Sequence, residues 1–125
     1  DLIPRLIDEI PIIALAACFA EGETTLRDAG ELRFKESNRI ASTGMELSRL
    51  GADIDELEDG FIIRGKRYLQ GTDCDSHGDH RIAMMLGVAG LISIGATVVS
   101  NAECASVSYP GFWMDLNNLV SGAQG

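Results

Sequence analysis

Apolar residues follow two patterns along this chain: some segments repeat every three to four positions, and others are short runs rich in threonine, valine and isoleucine. The first pattern is typical of helices that bury one face, and the second of strands. The longest apolar runs, Ile10–Ala20 and Ile82–Ile94, are too short to span a bilayer, and their small residues favour packing inside a domain. The predicted elements, in chain order, are helices over about 9–21, 38–50, 80–94 and 110–119, and strands over about 24–28, 53–57, 61–64, 68–72 and 97–100.

Three glycines mark points where a predicted helix gives way to a strand. Gly22, Gly51 and Gly95 each follow a helical segment, and glycine just past a helix end adopts the left-handed cap conformation at little cost. Helices and strands alternate, but a hairpin with Asp59-Gly60 at its turn intervenes. We therefore expect an α/β (α+β) fold in which parallel and antiparallel pairs mix in one sheet, with helices packed on one side.

Two segments of the chain match each other at one constant offset. The matching pairs are Ala16 with Ala89, Ala17 with Gly90, Gly22 with Gly95, Thr24 with Thr97, and Ala29 with Ala102. The match predicts an internal structural repeat, with approximate units 1–66 and 67–125. The same offset makes Asp8 equivalent to Arg81, and both lie at the start of an apolar helix.

The composition excludes some classes of function. A net charge of −9 and a pI near 4.5 exclude a general nucleic-acid binder, which needs a basic face, but leave room for a small phosphorylated substrate.

Three cysteines form no disulfide framework, so a reducing cytoplasm is the expected location. Cys74, His77 and His80 match no standard zinc spacing, and we predict no metal site. The chain begins with Asp1, and charged residues interrupt its first segment, so we expect no signal peptide and a fragment of a longer, non-membrane protein.

Candidate site chemistry is concentrated in two short stretches, Arg33–Arg39 and Gly78–Arg81. Each places cations and a proton-transfer group near the predicted start of a helix. Helix starts expose unpaired N–H groups and the positive end of the dipole, so they favour anions. Together, the two stretches predict a site that binds an anionic substrate and moves protons on it.

Each of these residues also has a purely structural interpretation. Asp8 is either a general base or a helix N-cap. Glu36 is either part of a surface salt bridge or a proton carrier turned into a cleft, where its neighbours would set its pKa. Asp79-His80-Arg81 is either a cap followed by two solvated residues or a functional group, because histidine suits proton transfer and Arg81 offers a planar fork for a carboxylate or phosphate.

Four segments taken together resemble the EPSP synthases, the 3-phosphoshikimate 1-carboxyvinyltransferase family. They are Ile3–Pro11, Phe34–Arg39, Gly78–Met85 and Ser108–Pro110, and the likeness extends over nearly the whole chain. The resemblance implies an enzyme that transfers the enolpyruvyl group of phosphoenolpyruvate to the 5-hydroxyl of shikimate 3-phosphate and releases phosphate. It implies two similar domains, each of three βαβαββ units, and no metal or organic cofactor.

In such an enzyme this chain would be a C-terminal fragment that supplies most of the last two units of one domain. Its partner would be the N-terminal domain of the same enzyme, and we expect the fragment alone to be inactive because half of the cleft is missing. The resemblance also implies three catalytic residues: Asp8 as the base on the attacking hydroxyl, Glu36 as the acid and then base at the methylene carbon, and His80 in support.

Substrate binding follows from the same resemblance. Asp8 and Lys35 would contact shikimate 3-phosphate, while Arg39 and Arg81 would bind the anionic groups of phosphoenolpyruvate. The chain departs from the family at Ser37 and Asn38, where Thr and Asp are usual, and at Val107, where many members have Lys. Two alternatives stay open: the related transferase that acts on UDP-N-acetylglucosamine, and a non-catalytic anion-binding module.

Overall fold

Three α-helices, a short 3₁₀ helix and five strands form the part of the chain that the computed structural model describes, residues 9–35 and 37–101. In chain order they are α1 (Ile10–Ala17), β1 (Glu23–Leu26), the 3₁₀ helix (Gly30–Phe34), α2 (Arg39–Arg49), β2 (Asp53–Leu57), β3 (Gly60–Arg64), β4 (Asp73–Asp75), α3 (His80–Ile92) and β5 (Val98–Ser100). The helix predicted over 110–119 lies outside the described residues. No helix in the described ranges is long and apolar enough to cross a membrane.

Side-chain caps begin two of the three helices. The Asn38 side chain accepts a hydrogen bond from the Ala41 amide at 3.2 Å, and the Asp79 side chain accepts one from the Arg81 amide at 2.9 Å. The cap of α3 was predicted. The cap position of α1 is occupied by Glu9, which makes no side-chain cap bond, instead of by the predicted Asp8, which lies outside the described residues.

The α/β fold is confirmed, but the parallel and antiparallel pairs lie in two separate sheets instead of the single sheet expected. One sheet is antiparallel in the order β1-β3-β2, and the other pairs β4 with β5 in parallel. The hairpin makes β2 and β3 antiparallel, whereas α3 crosses over between β4 and β5 and makes them parallel. Helix α2 contacts β2 and β3 of the antiparallel sheet and β4 of the parallel one, so it links the two sheets.

The β2–β3 hairpin forms where the sequence predicted it, with a different role for its glycine. Leu57 pairs with Gly60, so Glu58 and Asp59 form the turn and Gly60 begins the central strand. A Cβ atom on Gly60 would lie 1.8 Å from the Leu26 carbonyl oxygen of β1. Glycine is therefore needed here for the close approach of two strands.

The strand predicted over 68–72 does not form, and the chain becomes a strand only at β4. In the preceding segment the Gln70 amide bonds to the Leu50 carbonyl at the end of α2, whereas the Leu69 carbonyl and the Gly71 amide both bond to Ile94, and the Thr72 carbonyl accepts the Val98 amide. The register shifts by one residue between the Gln70–Ile94 bridge and the Asp73–Val98 pair, so the ladder is interrupted between them. The Gln70–Ile94 pairing is an isolated bridge.

Backbone conformation matches between the two segments that the sequence identified as copies. Gly22 and Gly95 occupy equivalent positions and have φ of +88° and +86°, and Asp28 and Asn101, at the same offset, have φ of +62° and +60°. Left-handed φ is uncommon outside glycine, so the second match is informative. These observations fit the predicted repeat, while the unit boundaries at 66 and 67 stay a prediction.

Candidate active site

The two stretches that the sequence singled out meet at one carboxylate, that of Asp79. Its Oδ2 accepts hydrogen bonds from Ser37 Oγ and from Arg39 Nε, both at 2.8 Å. Its Oδ1 accepts the Arg81 amide at the start of α3. The first turns of α2 and α3 are thereby held together by a group that the sequence predicted only as a cap.

Asp79 stays ionised because of the donors around it. Its side chain is fully buried, and burial alone would raise its pKa. The hydrogen bonds from Arg39 and Ser37 and the charge of Arg39 outweigh this effect, so the pKa of Asp79 lies below its ordinary value. The two first turns are therefore held by a negative charge as well as by hydrogen bonds.

Arg39, predicted to bind an anion, is a buried partner of Asp79 in this structure. Only 3% of its side chain is exposed, and its Nε hydrogen goes to the Asp79 carboxylate. This bond fixes the plane of the guanidinium group. The contact of Arg39 with a substrate anion stays a prediction.

Arg81 is more exposed than Arg39 and Asp79. Its side chain is 31% exposed, and its guanidinium forms an ion pair with Glu9, which directly precedes α1. The starts of all three described α-helices are therefore linked, α1 to α3 through Glu9 and Arg81, and α2 to α3 through Arg39 and Asp79. His80 is the first residue of α3, lies between Asp79 and Arg81 in the sequence, and is partly buried.

The other cations of the first stretch have different environments. Arg33 is bound to the β2–β3 hairpin: its Nε donates to the Glu58 carbonyl at 2.7 Å and its side chain pairs with Glu56 at 3.2 Å. It therefore belongs to the hairpin, although the sequence grouped it with the site. Lys35 is 30% exposed and lies 3.5 Å from Glu31 in the 3₁₀ helix.

Two predicted site residues, Asp8 and Glu36, lie outside the described residues. The residues that directly follow them, Glu9 and Ser37, are described. Glu9 follows Asp8 and pairs with Arg81, and Ser37 follows Glu36 and bonds to Asp79. Both predictions therefore concern residues that are covalently attached to this cluster.

Sequence reasoning missed a second polar contact beside the first. Glu46 of α2 is fully buried, and its carboxylate accepts the Asp75 amide at 2.9 Å and lies 2.8 Å from His77 Nε2. The available signal was its position: Glu46 is a charged residue next to Leu47 on the buried side of an amphipathic helix. Ser42 also escaped prediction, and its hydroxyl donates to Ser37 Oγ at 3.1 Å.

The described residues contain no group of three or more His, Cys, Asp or Glu side chains placed to hold a metal ion. Cys74, His77 and His80 do not form one. Cys74 is buried, and His77 is engaged by Glu46.

Comparison with known proteins identifies the family. The family model of EPSP synthase (3-phosphoshikimate 1-carboxyvinyltransferase) matches residues 2–116. The chain belongs to the EPSP synthase family. This confirms the resemblance carried by the four sequence segments.

Related EPSP synthases are similar over nearly all of this chain. The 3-phosphoshikimate 1-carboxyvinyltransferases of Desulforudis audaxviator and Pelotomaculum thermopropionicum are each 58% identical to it, over 94% and 90% of the chain. The solved EPSP synthase structure from Acinetobacter baumannii superposes with a TM-score of 0.86 at 39% identity, over 94% of the chain.

The chain spans only part of the length of these proteins. It covers 28% of the Desulforudis enzyme, 26% of the Pelotomaculum enzyme and 28% of the Acinetobacter structure. The family and fold are therefore established for this segment, and the activity of a whole enzyme is a separate question.

Proposed function

We propose that this chain forms part of the active site of a 3-phosphoshikimate 1-carboxyvinyltransferase. In the reaction, the 5-hydroxyl of shikimate 3-phosphate adds to C2 of phosphoenolpyruvate while a proton is added to C3. Loss of a proton from C3 and of phosphate from C2 then gives the enolpyruvyl ether and inorganic phosphate. The remaining part of the enzyme, including an N-terminal domain, would supply the other side of the cleft.

In this proposal the proton transfers are divided between two carboxylates. Asp8 takes the proton of the attacking hydroxyl, and Glu36 delivers a proton to the methylene carbon and then removes one. His80 supports the same site. The opposite demands of the two steps, protonation at carbon and deprotonation at oxygen, require separate groups.

Substrate anions would be bound by the cations around Asp79. Arg81 would bind phosphoenolpyruvate together with Arg39, and Lys35 would approach shikimate 3-phosphate. Charge-assisted hydrogen bonds of this kind are strongest where water is excluded. Arg39 and Asp79 are buried and paired with each other, so this part of the proposed site carries charges whose positions are fixed.

The convergence of Ser37, Arg39 and Arg81 on the Asp79 carboxylate carries this proposal. It brings together the two stretches on which the likeness to EPSP synthases depends. The two free thiols among the described residues, Cys18 and Cys74, agree with a reducing cytoplasm, where we place the reaction.

The test is turnover by the full-length protein that contains this chain. We expect phosphate release when phosphoenolpyruvate and shikimate 3-phosphate are both present, and loss of most activity in Glu36→Gln. The matched control is Glu23→Gln, an exposed carboxylate of β1 that pairs with Arg64. Release with UDP-N-acetylglucosamine instead would favour the related transferase, and binding of phosphoenolpyruvate without turnover would favour an anion-binding module.

The chain by itself is expected to be inactive because it spans about a quarter of the length of its relatives. Turnover by the purified chain, prepared from a host that lacks its own enzyme, would contradict this expectation.

A further inference from the structure

The turn that precedes α3 is attached to α2 at two points. Asp79 meets Arg39 at the start of α2, and His77 meets Glu46 seven residues later. Seven residues are two helical turns, or about 10 Å along the axis, and they return to the same face. The turn therefore lies along one face of α2 and is fixed at both ends.

The second attachment is unusually well buried. None of the Glu46 side chain is exposed, and its two carboxylate oxygens bind different parts of the turn. Oε1 accepts the Asp75 amide at 2.9 Å, and Oε2 lies 2.8 Å from His77 Nε2, with Arg49 Nε at 3.7 Å. A buried carboxylate costs free energy unless it is paired, so the fold tolerates Glu46 only with these partners in place.

The turn needs this support because its backbone is held in an uncommon conformation. His77 and Gly78 both have left-handed φ, +57° and +69°. For a residue such as His77 this conformation is disfavoured and persists where surrounding contacts fix it. Asp75 accepts the His77 amide at 2.8 Å, and Glu46 binds both Asp75 and His77.

We propose that Glu46 is a positioning residue, which acts through His77 and the Asp75 amide to set the turn that presents Asp79, His80 and Arg81. This inference rests on the proposed function, in which those three residues line the active site. Glu46 itself touches no substrate. A displacement of about 1 Å at a reacting group is enough to lower a rate by about 100-fold. A residue that touches no substrate can therefore change the rate if it sets the position of one that does.

The experiment compares three variants of the full-length protein. Glu46→Ala removes both contacts, Glu46→Gln keeps an acceptor for the Asp75 amide and a polar group facing His77, and His77→Asn shortens the other partner with a residue that tolerates left-handed φ. Glu23→Gln, an exposed carboxylate paired with Arg64 in the antiparallel sheet, is the control.

We expect Glu46→Ala and His77→Asn each to lower kcat/KM by roughly 10-fold or more, with Glu46→Gln restoring most of it. The double variant should lose no more than Glu46→Ala alone, because that variant already removes the contact with His77. Losses that multiply in the double variant, or a Glu46→Gln enzyme as impaired as Glu46→Ala, would overturn the inference.

Amide hydrogen exchange of residues 75–81 provides a readout that needs no turnover. Glu46→Ala should speed exchange there, Glu46→Gln should not, and unchanged exchange in Glu46→Ala would overturn the inference. If the wild-type protein turns over neither acceptor, the proposed function fails, and the exchange result still decides whether Glu46 sets the turn. Glu46→Gln and His77→Asn keep the test valid if Glu46→Ala does not fold.

Discussion

Arg39 and Asp79 form an ion pair across 40 residues of sequence, with 3% of one side chain exposed and none of the other. Removing one member of a buried pair leaves the other charged and unpaired, which costs far more than the pair itself contributes. We expect Asp79→Ala to lower the free energy of unfolding by about 3–5 kcal/mol, measured by urea denaturation.

The control for this prediction is the exposed pair of Asp53 with Arg64. Arg64 also contacts Asp55 and Glu23 and lies in water, so Asp53→Ala should change stability little. Similar losses in the two variants would show that the depth of the Arg39–Asp79 pair does not determine its effect.

Acid should weaken the fold through Asp79. Burial raises its pKa, but the hydrogen bonds from Arg39 and Ser37 leave the pKa below the ordinary value of 3.8. The ionised group therefore adds stability that is present above the unfolded-state pKa and is lost as the pH falls through the folded-state pKa. Stability measured from pH 5 down to pH 2 should fall less steeply in Asp79→Asn than in the wild type, and parallel curves would contradict this.

Two glycines should respond in opposite directions to the same substitution. A Cβ on Gly60 would lie 1.8 Å from the Leu26 carbonyl oxygen, so Gly60→Ala must separate β1 from β3 and should cost about 1–3 kcal/mol or more. A Cβ on Gly44 in α2 would meet Phe61 at 3.6 Å, an ordinary contact. Gly44→Ala should therefore stabilise the protein by up to about 1 kcal/mol through helix propensity, and thermal unfolding of both variants provides the comparison.

The ion pair between Arg81 and Glu9 should compete with substrate. Arg81 is proposed to bind phosphoenolpyruvate, and an anion that binds it must first displace Glu9. Because exposed pairs are weak, Glu9→Gln should lower the KM for phosphoenolpyruvate by no more than about 5-fold, with the largest effect at low ionic strength. Glu21→Gln, beyond the other end of α1, is the control, and a raised KM in Glu9→Gln would show that Glu9 assists binding.

The buried thiols should be inert in the folded protein. Desolvation raises the pKa of Cys18 to about 11, and burial, reinforced by Glu46, raises that of Cys74 to about 11. Thiolates are the reactive species, so neither residue should be labelled by iodoacetamide at pH 8 until the protein is unfolded. Peptide mapping by mass spectrometry locates the label, and rapid native labelling of Cys74 would contradict the described burial.

Local patterns in the sequence predicted the elements well. The buried stripe of α2, the cap of α3, the left-handed glycines at 22, 51 and 95 and the hairpin all depend on residues close together in sequence, and all form. The strand expected over 68–72 was wrong because its register with the segment that leads into β5 shifts by one residue and the Gln70 amide bonds to Leu50 instead. No local pattern contains that information.

The sequence predicted which residues belong to the candidate site, but not which of them contact each other. The sequence identified both stretches, and the structure brings them together at Asp79. The sequence could not show that Arg33 bonds to the hairpin, because that contact depends on where the fold places the Glu58 carbonyl. The position of Glu46 on the buried side of α2 was visible in the sequence, but its partners Asp75 and His77 lie far along the chain and were not.

The buried polar residues of the described chain all lie in α2 or in the turn before α3. They are Arg39, Ser42, Thr43, Glu46, Ser76 and Asp79. Contacts between apolar surfaces survive small slides, whereas hydrogen bonds weaken steeply with angle. Along α2 a cation is followed by an anion, and the turn presents Asp79 to the first and His77 to the second. Sliding α2 by two helical turns would set Glu46 against Asp79, like charge against like, so the order of charges opposes this change of register between the two segments.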